Sequence, residues 1–512
     1  MKGGRSCGSD NIDSYSLKFA APLVEDALLH IINLLINHHK FANRWKQQLI
    51  FPQHKKGDKL RSINYRPVSH LVEIGQLVER VVQTQILDHF LKNDLFHPNQ
   101  HGGLPKHSTC TALLQIYDIL LKNAEDRKIT LLLDQTAAYD LLDHKIFLHK
   151  LQLYGFDKES IGWISSYLSD RTQCVQVQSK RSCNKPIGDL GIPQGSLLGG
   201  LFFIINENDF ADCRENGQSV LFVDDDTDLI GGNSKEDLSA QLQAEANKSC
   251  SWLKDNYMVV AGEKSDLLVV GTAANRRIKL DDQPVSIVVN GKRVTESESK
   301  KLLGVFLNNS LTWKNHTESL ITELSRRAGL LQKLSYSSSK KKLKMFTHGI
   351  FYSKLEYCLP LFINTWGLDP YSENDDKYVT MTKNQCRKIQ IIQNKVCRLF
   401  LPRIEQENSR IRKQDVSTAD LLKRNNVLSV HQLGAHSTIM LAKKIITDRK
   451  PQYLADQFQV SNETNTRNRT HLMLPKVSLS ASREGFVYRA IKLVNMLPTS
   501  LWKEESMQSF KE

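Results

Sequence analysis

The sequence predicts a mixed α/β core over about residues 45–275, followed beyond residue 315 by a mainly helical region. Two observations carry the core. Short apolar runs bounded by charge or turn residues (Ile129 to Leu133, Val220 to Val223, Leu267 to Val270) read as buried strands. Between them lie stretches with apolar residues at helical spacing, at 72–92, at 111–125 and after residue 234. The third observation is the tail, where helical spacing continues but is broken by basic clusters.

Taken in order, residues 20–50 carry helical apolar spacing (Leu23, Ala27, Ile31, Leu34, Leu35). KKGDK at 55–59 is a turn between extended segments, with Gly57-Asp58 at the reversal. Cys174 to Gln178 alternates as a half-buried strand does, and three aspartates stop the strand at Val220–Val223 abruptly. Ser234 with Asp237 is a helix-start signal, followed by Leu238, Leu242, Ala246 and Leu253 on one side. Polar, charged stretches near 275–285 and 367–380 mark boundaries, dividing the chain into 1–44, 45–275, 276–366 and 367–512. The basic cluster SSSKKKLK (337–344) is either a solvated face or a contact for a phosphate backbone. No repeat at a fixed period is present.

With 512 residues, 40% hydrophobic and 24% charged, the chain can bury several cores, and disorder throughout is excluded. The formal net charge of +14 suits a polyanionic partner, since each neutralised phosphate releases counterions, but it equally suits a merely soluble basic protein. The nine cysteines are scattered without paired C-x-x-C spacing, so no zinc knuckle is visible and reduced thiols are expected. The opening residues lack the apolar core of a signal peptide, and no run approaches the ~20 residues of a membrane span. Leu28 to Ile36 is read as one face of a helix, and the protein is expected to be soluble and intracellular, without a membrane partner.

The sharpest chemistry lies at two strand ends. Leu131-Leu132-Leu133 leads into Asp134, and Leu221-Phe222-Val223 leads into Asp224-Asp225-Asp226. Adjacent carboxylates raise one another's pKa unless a cation neutralises them. Magnesium does so with oxygen ligands, and two ions about 3.5–4 Å apart can activate an attacking hydroxyl and stabilise a leaving pyrophosphate. A lone run of three aspartates reads as well as a polar hairpin turn.

The neighbouring residues resolve that ambiguity. Asp134-Gln-Thr-Ala-Ala-Tyr139-Asp140 with Asp143-His144, Gly191-Ile-Pro193-Gln194-Gly195-Ser196-Leu-Leu-Gly199 and Phe222-Val-Asp224-Asp225 resemble motifs A, B and C of reverse transcriptases, in that order and spacing. Asn64-Tyr65-Arg66-Pro67-Val68-Ser69 resembles the fingers motif, Gly262-Glu263-Lys264-Ser265 motif D, and Leu303-Gly304-Val305-Phe306 with Leu311-Thr312-Trp313 motif E. Tyr357-Cys358, Ile391-Ile392-Gln393-Asn394 and Arg489-Ala490-Ile491 with Asn495-Met-Leu-Pro498 are similar to the C-terminal segment of the enzymes of non-LTR (LINE-type, jockey/CR1-like) retrotransposons. The resemblance covers nearly the whole chain.

It implies a right-hand polymerase with fingers and palm over 45–275, a thumb-like region to 366 and a basic helical C-terminal region. The implied reaction is addition of deoxynucleotides to a primer 3′-end, with an RNA template, a DNA primer or target, dNTPs and two Mg²⁺ ions (Mn²⁺ as a substitute). Asp134, Asp224 and Asp225 are the implied catalytic metal ligands. Tyr139 packs under the incoming sugar and selects deoxynucleotides. Gln194 and Gly195 belong to a tight loop beside template and nucleotide. Arg66, with Lys59 or Arg61, contacts the triphosphate, and Lys264 stands near the pyrophosphate.

Departures from the family pattern are also present. Aligning Phe222 gives Asp224-Asp225 as the metal pair, whereas aligning Thr227 gives Asp225-Asp226; the unbroken apolar strand favours the first. Gly200 stands where proline is common, and His101-Gly102-Gly103-Leu104 lacks the family's phenylalanine-arginine. Gly8 to Ile12 resembles the segment just ahead of the fingers, leaving no room for an upstream endonuclease, and the end at Phe510-Lys-Glu looks clipped. A truncated element copy is expected, and an inactive copy that only binds nucleic acid is the alternative. Telomerases and intron maturases fit DQTAAYD and the RAI segment less well.

Overall fold

The computed structural model describes residues 7–55, 57–126, 129–136, 141–258, 265–271, 284–363, 381–401, 416–460, 472–477, 480–483, 485–502 and 510. The first helix, α1 (Ser14–Asn37), starts at Asp13, whose carboxylate accepts the Ser16 N–H at 2.6 Å. Only Ser14, Leu17 and Ile32 of this helix are buried, and Phe19 and Leu23 are 82% and 89% exposed. Its most apolar 18-residue window has a mean hydropathy of 1.6, long and apolar enough to cross a membrane by length and composition. The expectation that no run approaches span length therefore fails here. Glu25 and Asp26 are the charges inside that window, and its apolar residues outweigh them to leave the average at 1.6.

The strands in chain order are β1 (Gln47–His54), β2 (Tyr65–His70), β3 (Ile129–Thr136), β4 (Thr172–Val177), β5 (Lys180–Arg181), β6 (Lys185–Pro186), β7 (Gln218–Phe222), β8 (Asp225–Gly232), β9 (Asp266–Val270), β10 (Ser286–Val289), β11 (Lys292–Ser297), β12 (Ser299–Leu302) and β13 (Val305–Asn308). They form a five-stranded sheet (β2-β1-β4-β5, with β6 also on β4), a six-stranded sheet (β10-β11-β9-β3-β8-β7) and the hairpin β12-β13. The helices around them are α2 (Glu73–Lys92), α3 (Thr109–Glu125), α4 (His144–Leu153), α5 (Lys158–Leu168), α6 (Leu197–Asn206) and α7 (Lys235–Asp255).

The six-stranded sheet is covered on both faces, which explains why its strands read as apolar runs rather than as alternation. Val220, Leu229, Leu268 and Val270 join a core with Leu113, Ile116 and Leu120 of α3. Their strand neighbours Leu221, Ile230, Leu267 and Val269 join another core with Leu238, Leu242 and Ala246 of α7. The sheet runs on through β11, parallel to β9, to Ser297, past the boundary expected near 275–285.

Beyond residue 313 the described chain is helical, with Lys314–Ser335, Lys340–Phe346, Lys383–Arg398, Thr418–Asn425, Val430–Asp448 and Phe486–Asn495 as its main elements. The tail residues that resembled the family act here as clamps. The buried Arg489 guanidinium donates to the carbonyls of Pro360, Leu361 and Ile363 at 2.6, 3.3 and 2.5 Å, satisfying the end of a short helix. Gln393 donates to the Leu428 carbonyl at 2.8 Å, and the Asn495 amide brackets the Leu472 backbone at 3.0 and 2.9 Å. Tyr357 donates to the carbonyl of Leu303 at 2.6 Å, in the left-handed turn Leu303-Gly304 between β12 and β13.

Candidate active site

The three aspartates do not simply end a strand; they straddle a hairpin. Phe222 pairs with Asp225, so the turn is Val223-Asp224, while Asp225 and Asp226 open β8. Pairing with β3 sets Thr136 opposite Asp225, Gln135 opposite Asp226 and Asp134 opposite Thr227. Residues alternate between the faces of a strand, so Asp225 and Thr227 share one side of β8 and Asp226 and Asp228 the other. The register position of Asp134 is that of Thr227, hence of the Asp225 side. Beyond this backbone register, the Asp134 side chain lies outside the described residues, as do Tyr139 and Lys264 altogether.

The other side of β8 is occupied by an ion cluster. The Arg214 guanidinium, with its side chain 5% exposed, bridges Asp226 and Asp228, the latter at 2.5 Å, and lies over the Phe210 ring at 4.3 Å. Ser219 adds a 2.6 Å hydrogen bond to Asp228. Asp226 is thereby committed to Arg214. Nearby, the fully buried Glu207 carboxyl is pushed well above the usual carboxylate range, by burial first and then by the negative charge of Asp224 and Asp226. Its Oε1 is buried with no hydrogen-bond partner.

The hairpin tip is held from outside the sheet. Val223, a β-branched residue, adopts φ +59°, a strained conformation for its type. Gln100 Oε1 accepts the N–H groups of Val223 at 3.2 Å and Gly102 at 2.8 Å. The backbone around it pairs with β7, His101 N–H to the Leu221 carbonyl at 2.8 Å and Leu221 N–H to that of Asn99 at 3.0 Å. A Cβ on Gly102 would meet the Val223 nitrogen at 2.3 Å, so only glycine lets this segment approach the tip. Gly103 sits at φ +67°, where the family's aromatic residue would be strained. His101 spans Thr111 Oγ1 at 3.0 Å and Gln115 Oε1 at 2.5 Å, and burial pushes its pKa down to about 4.

A second grouping joins the Pro193-Gln194-Gly195 loop to β2. Ser69 N–H donates to the Gln194 carbonyl at 2.9 Å, and Gly195, at φ +120°, lies so close that a Cβ would meet the Ser69 carbonyl oxygen at 2.8 Å. The loop is tied at its start by His144, whose Nε2 is 2.8 Å from the Gly191 carbonyl oxygen. At its end the buried Glu79 accepts Leu197 N–H at 2.8 Å and the Tyr167 hydroxyl at 3.0 Å. A cavity of about 220 Å³ opens here, with Ser69, His144, Arg171 and Gln194 among its walls. Arg66 lies exposed on β2, three residues before Ser69, and Lys59 and Arg61 lie exposed in the β1–β2 connection. Gln100, Glu79, His144 and Arg214 thus position the site; apart from His144, which stands in the Asp143-His144 pair of the motif A resemblance, they are single polar residues in the sequence without periodicity or spacing to mark them.

Among the described residues, no group of three or more His, Cys, Asp or Glu side chains stands together as a metal site. The Asp224-Asp225 pair supplies hard oxygen donors. The negative charge of Asp224 and Asp226, which adds to burial in raising the Glu207 carboxyl, is one a divalent cation would offset, so the donor set fits such an ion.

Residues 53–307 match the family model described as "Reverse transcriptase (RNA-dependent DNA polymerase)". The chain is 26% identical over 405 residues to a "Probable RNA-directed DNA polymerase from transposon X-element" of Drosophila melanogaster, covering 77% of this chain and 42% of that protein. It is 24% identical over 402 residues to the "RNA-directed DNA polymerase from mobile element jockey" of the same organism, covering 76% of this chain and 41% of that protein. The chain thus spans about two fifths of the length of these relatives. Among solved structures, apo telomerase from Candida tropicalis aligns with 81% of this chain and 68% of its own at 12% identity and a TM-score of 0.40.

Proposed function

Residues 53–307 belong to the reverse transcriptase family, and we propose that the chain is the RNA-directed DNA polymerase of a non-LTR retrotransposon. The observation that supports this best is the strand register. It sets the Val223-Asp224 turn and Asp225 beside the strand that carries Asp134, on the side of β8 not taken by Arg214. Asp134, Asp224 and Asp225 would hold Mg²⁺, which when bound would activate the primer 3′-hydroxyl and stabilise the leaving pyrophosphate. The rest is positioning by the chain. The loop at Gln194-Gly195, stitched to β2, brings backbone close to template and nucleotide. Arg66, with Lys59 or Arg61, neutralises the triphosphate, and Lys264 serves near the pyrophosphate. Tyr139 fills the space a 2′-hydroxyl would need, which selects dNTPs.

The test is primer extension on an RNA template with Mg²⁺. Outer partners of a metal site are worth about 10–100-fold, so loss of a direct ligand in Asp224→Asn should cost at least about 100-fold. Its thermal melting should stay that of the parent, because one of several crowded carboxylates is removed. Extension at the parental rate by Asp224→Asn would refute the assignment, and no extension by the native chain would favour a copy that only binds nucleic acid.

A further inference from the structure

Away from both sheets, the helix Lys340–Phe346 runs directly into a π-helical turn, Thr347–Tyr352. Single π turns are rare and concentrate at functional sites, because the wider turn displaces side chains from the regular helical stripe. Here the displaced face borders a cavity of about 180 Å³, closed on its far side by helices Lys383–Arg398 and Thr418–Asn425. Lys344, His348 and Arg424 stand at the cavity as exposed residues, and Tyr352, Cys397 and Phe400 line it more deeply. His348 and Tyr352 lie ring to ring at 5.3 Å with a 33° tilt.

The charge around this cavity is mainly positive, with Asp420 on the helix that carries Arg424 and Glu356, whose field reaches Tyr352, as the acidic exceptions. Residues 336–355 contain five lysines, and residues 381–401 five lysines and arginines; neither stretch has a single aspartate or glutamate. Lys340 and Lys341, one helical turn before Lys344, extend the positive charge of its face, and Lys342 is exposed on another face of the same helix. Cationic groups at the rim with planar rings inside are the two features that capture an unpaired nucleotide. The phosphates take the charge, and the base takes the ring faces. A duplex offers no free ring face, and a cavity of this size admits one base rather than a groove.

We propose that this cavity is a second nucleic-acid site that seats one unpaired nucleotide of single-stranded RNA, with flanking phosphates on Lys344, Arg424, Lys340 and Lys341. The inference rests on the polymerase reading only for the choice of RNA as the polyanion.

The experiment uses the full chain carrying Asp224→Asn, so that no chemistry intervenes, and a short fluorescent single-stranded RNA with 2-aminopurine at one position. Binding is followed by anisotropy across a salt series. Each phosphate contact on a single strand contributes about 0.7 to the salt slope, so Lys344→Glu with Arg424→Glu should lower it by roughly 1.4 and weaken binding at least about 10-fold. His348→Ala should leave the slope unchanged, weaken binding by roughly 5–100-fold and relieve the 2-aminopurine quenching, as loss of a stacking partner does. Lys344→Gln alone, a change at an exposed position, guards against misfolding of the double variant and should lower the slope by about 0.7. Unchanged slope and affinity in these variants would overturn the proposal. Equal weakening for blunt duplex RNA would overturn the unpaired-nucleotide claim, and displacement by polyglutamate as readily as by RNA would assign the cavity to an acidic peptide instead. Primer extension by the native chain is measured alongside: its absence together with cavity-dependent RNA binding counts against the polymerase reading and supports this site.

Discussion

The two sides of β8 carry the same residue type and use it in opposite ways. On one side Asp225, next to the turn residue Asp224, is partly buried and shares its strand face with Thr227, the register partner of Asp134. On the other, Asp226 and Asp228 are 4% and 2% exposed and bonded to one arginine. A one-residue step along a strand moves a carboxylate from a solvent-facing cluster, where a divalent cation fits, into a buried ion pair. Chemical identity says little here; pleat parity decides whether an aspartate lies on the face of β8 opposite Arg214 or in the buried ion pair with it.

The largest effect that tests this contrast is on folding. Arg214→Met leaves two buried carboxylates without their cation, and breaking a buried pair from one side costs about 3–5 kcal/mol. The unfolding free energy extrapolated from urea should fall by that much, through a lower midpoint at an unchanged slope. Adding Asp226→Asn and Asp228→Asn to the same chain should recover most of the loss, since the uncompensated charges are gone. Asp224→Asn, on the other hand, should stay within about 0.5 kcal/mol of the parent. Comparable losses from Arg214→Met and Asp224→Asn would erase the distinction between the two sides.

A smaller effect sharpens the picture of the external brace. His101 is buried and held neutral, its pKa pushed down to about 4 from an ordinary 6.5. The depressed value means that its contribution to stability is whole above pH 6.5 and is lost as the pH falls toward 4, because the unfolded chain takes up the proton first. That difference amounts to about 3 kcal/mol. His316, buried and likewise pushed down to about 4, acts in the same window. His97 and His107, also pushed down by burial, act in the same direction, so His101→Gln should remove a part of the stability lost between neutral pH and pH 4.5, up to about 3 kcal/mol, read from urea unfolding across pH. A profile identical to the parent's would show that His101 is not the group responsible.

The two acidic strand ends and the Pro193-Gln194-Gly195 loop were legible through their resemblance to motifs A, C and B of reverse transcriptases in the family's order and spacing, since a run of aspartates alone reads as well as a hairpin turn. Parity was not legible. Nothing in Val223-Asp224-Asp225-Asp226 says where the chain reverses until Phe222 is seen to pair with Asp225. The braces were hidden for a similar reason. Gln100 lies 123 residues from the Val223 amide it holds, and Arg489 126 residues from the Ile363 carbonyl it caps, so no local pattern could announce either. Helix α1 was misjudged because an interrupted apolar stretch was assumed to bury one face, whereas the fold leaves most of it exposed.

The smallest expected effect concerns Val223 itself. A β-branched residue at φ +59° carries about 1–2 kcal/mol of backbone cost, which glycine would not. Against that relief stand the extra freedom glycine has in the unfolded chain, about 0.5–1 kcal/mol, and the lost contacts of a half-buried valine, about 1 kcal/mol. The terms nearly cancel, so Val223→Gly should change global stability by less than about 1 kcal/mol. Local behaviour should nonetheless change. With the valine side chain gone, the clasp between Gln100 Oε1 and the residue-223 amide loses the packing of Gly102 against the Val223 methyl, which now lies where a Cβ on Gly102 would meet it at 2.5 Å. Hydrogen exchange at amide 223 should quicken while amides in the middle of β8 keep their protection. A global loss as large as that of Arg214→Met would mean that the turn, and not the ion cluster behind β8, holds the hairpin together.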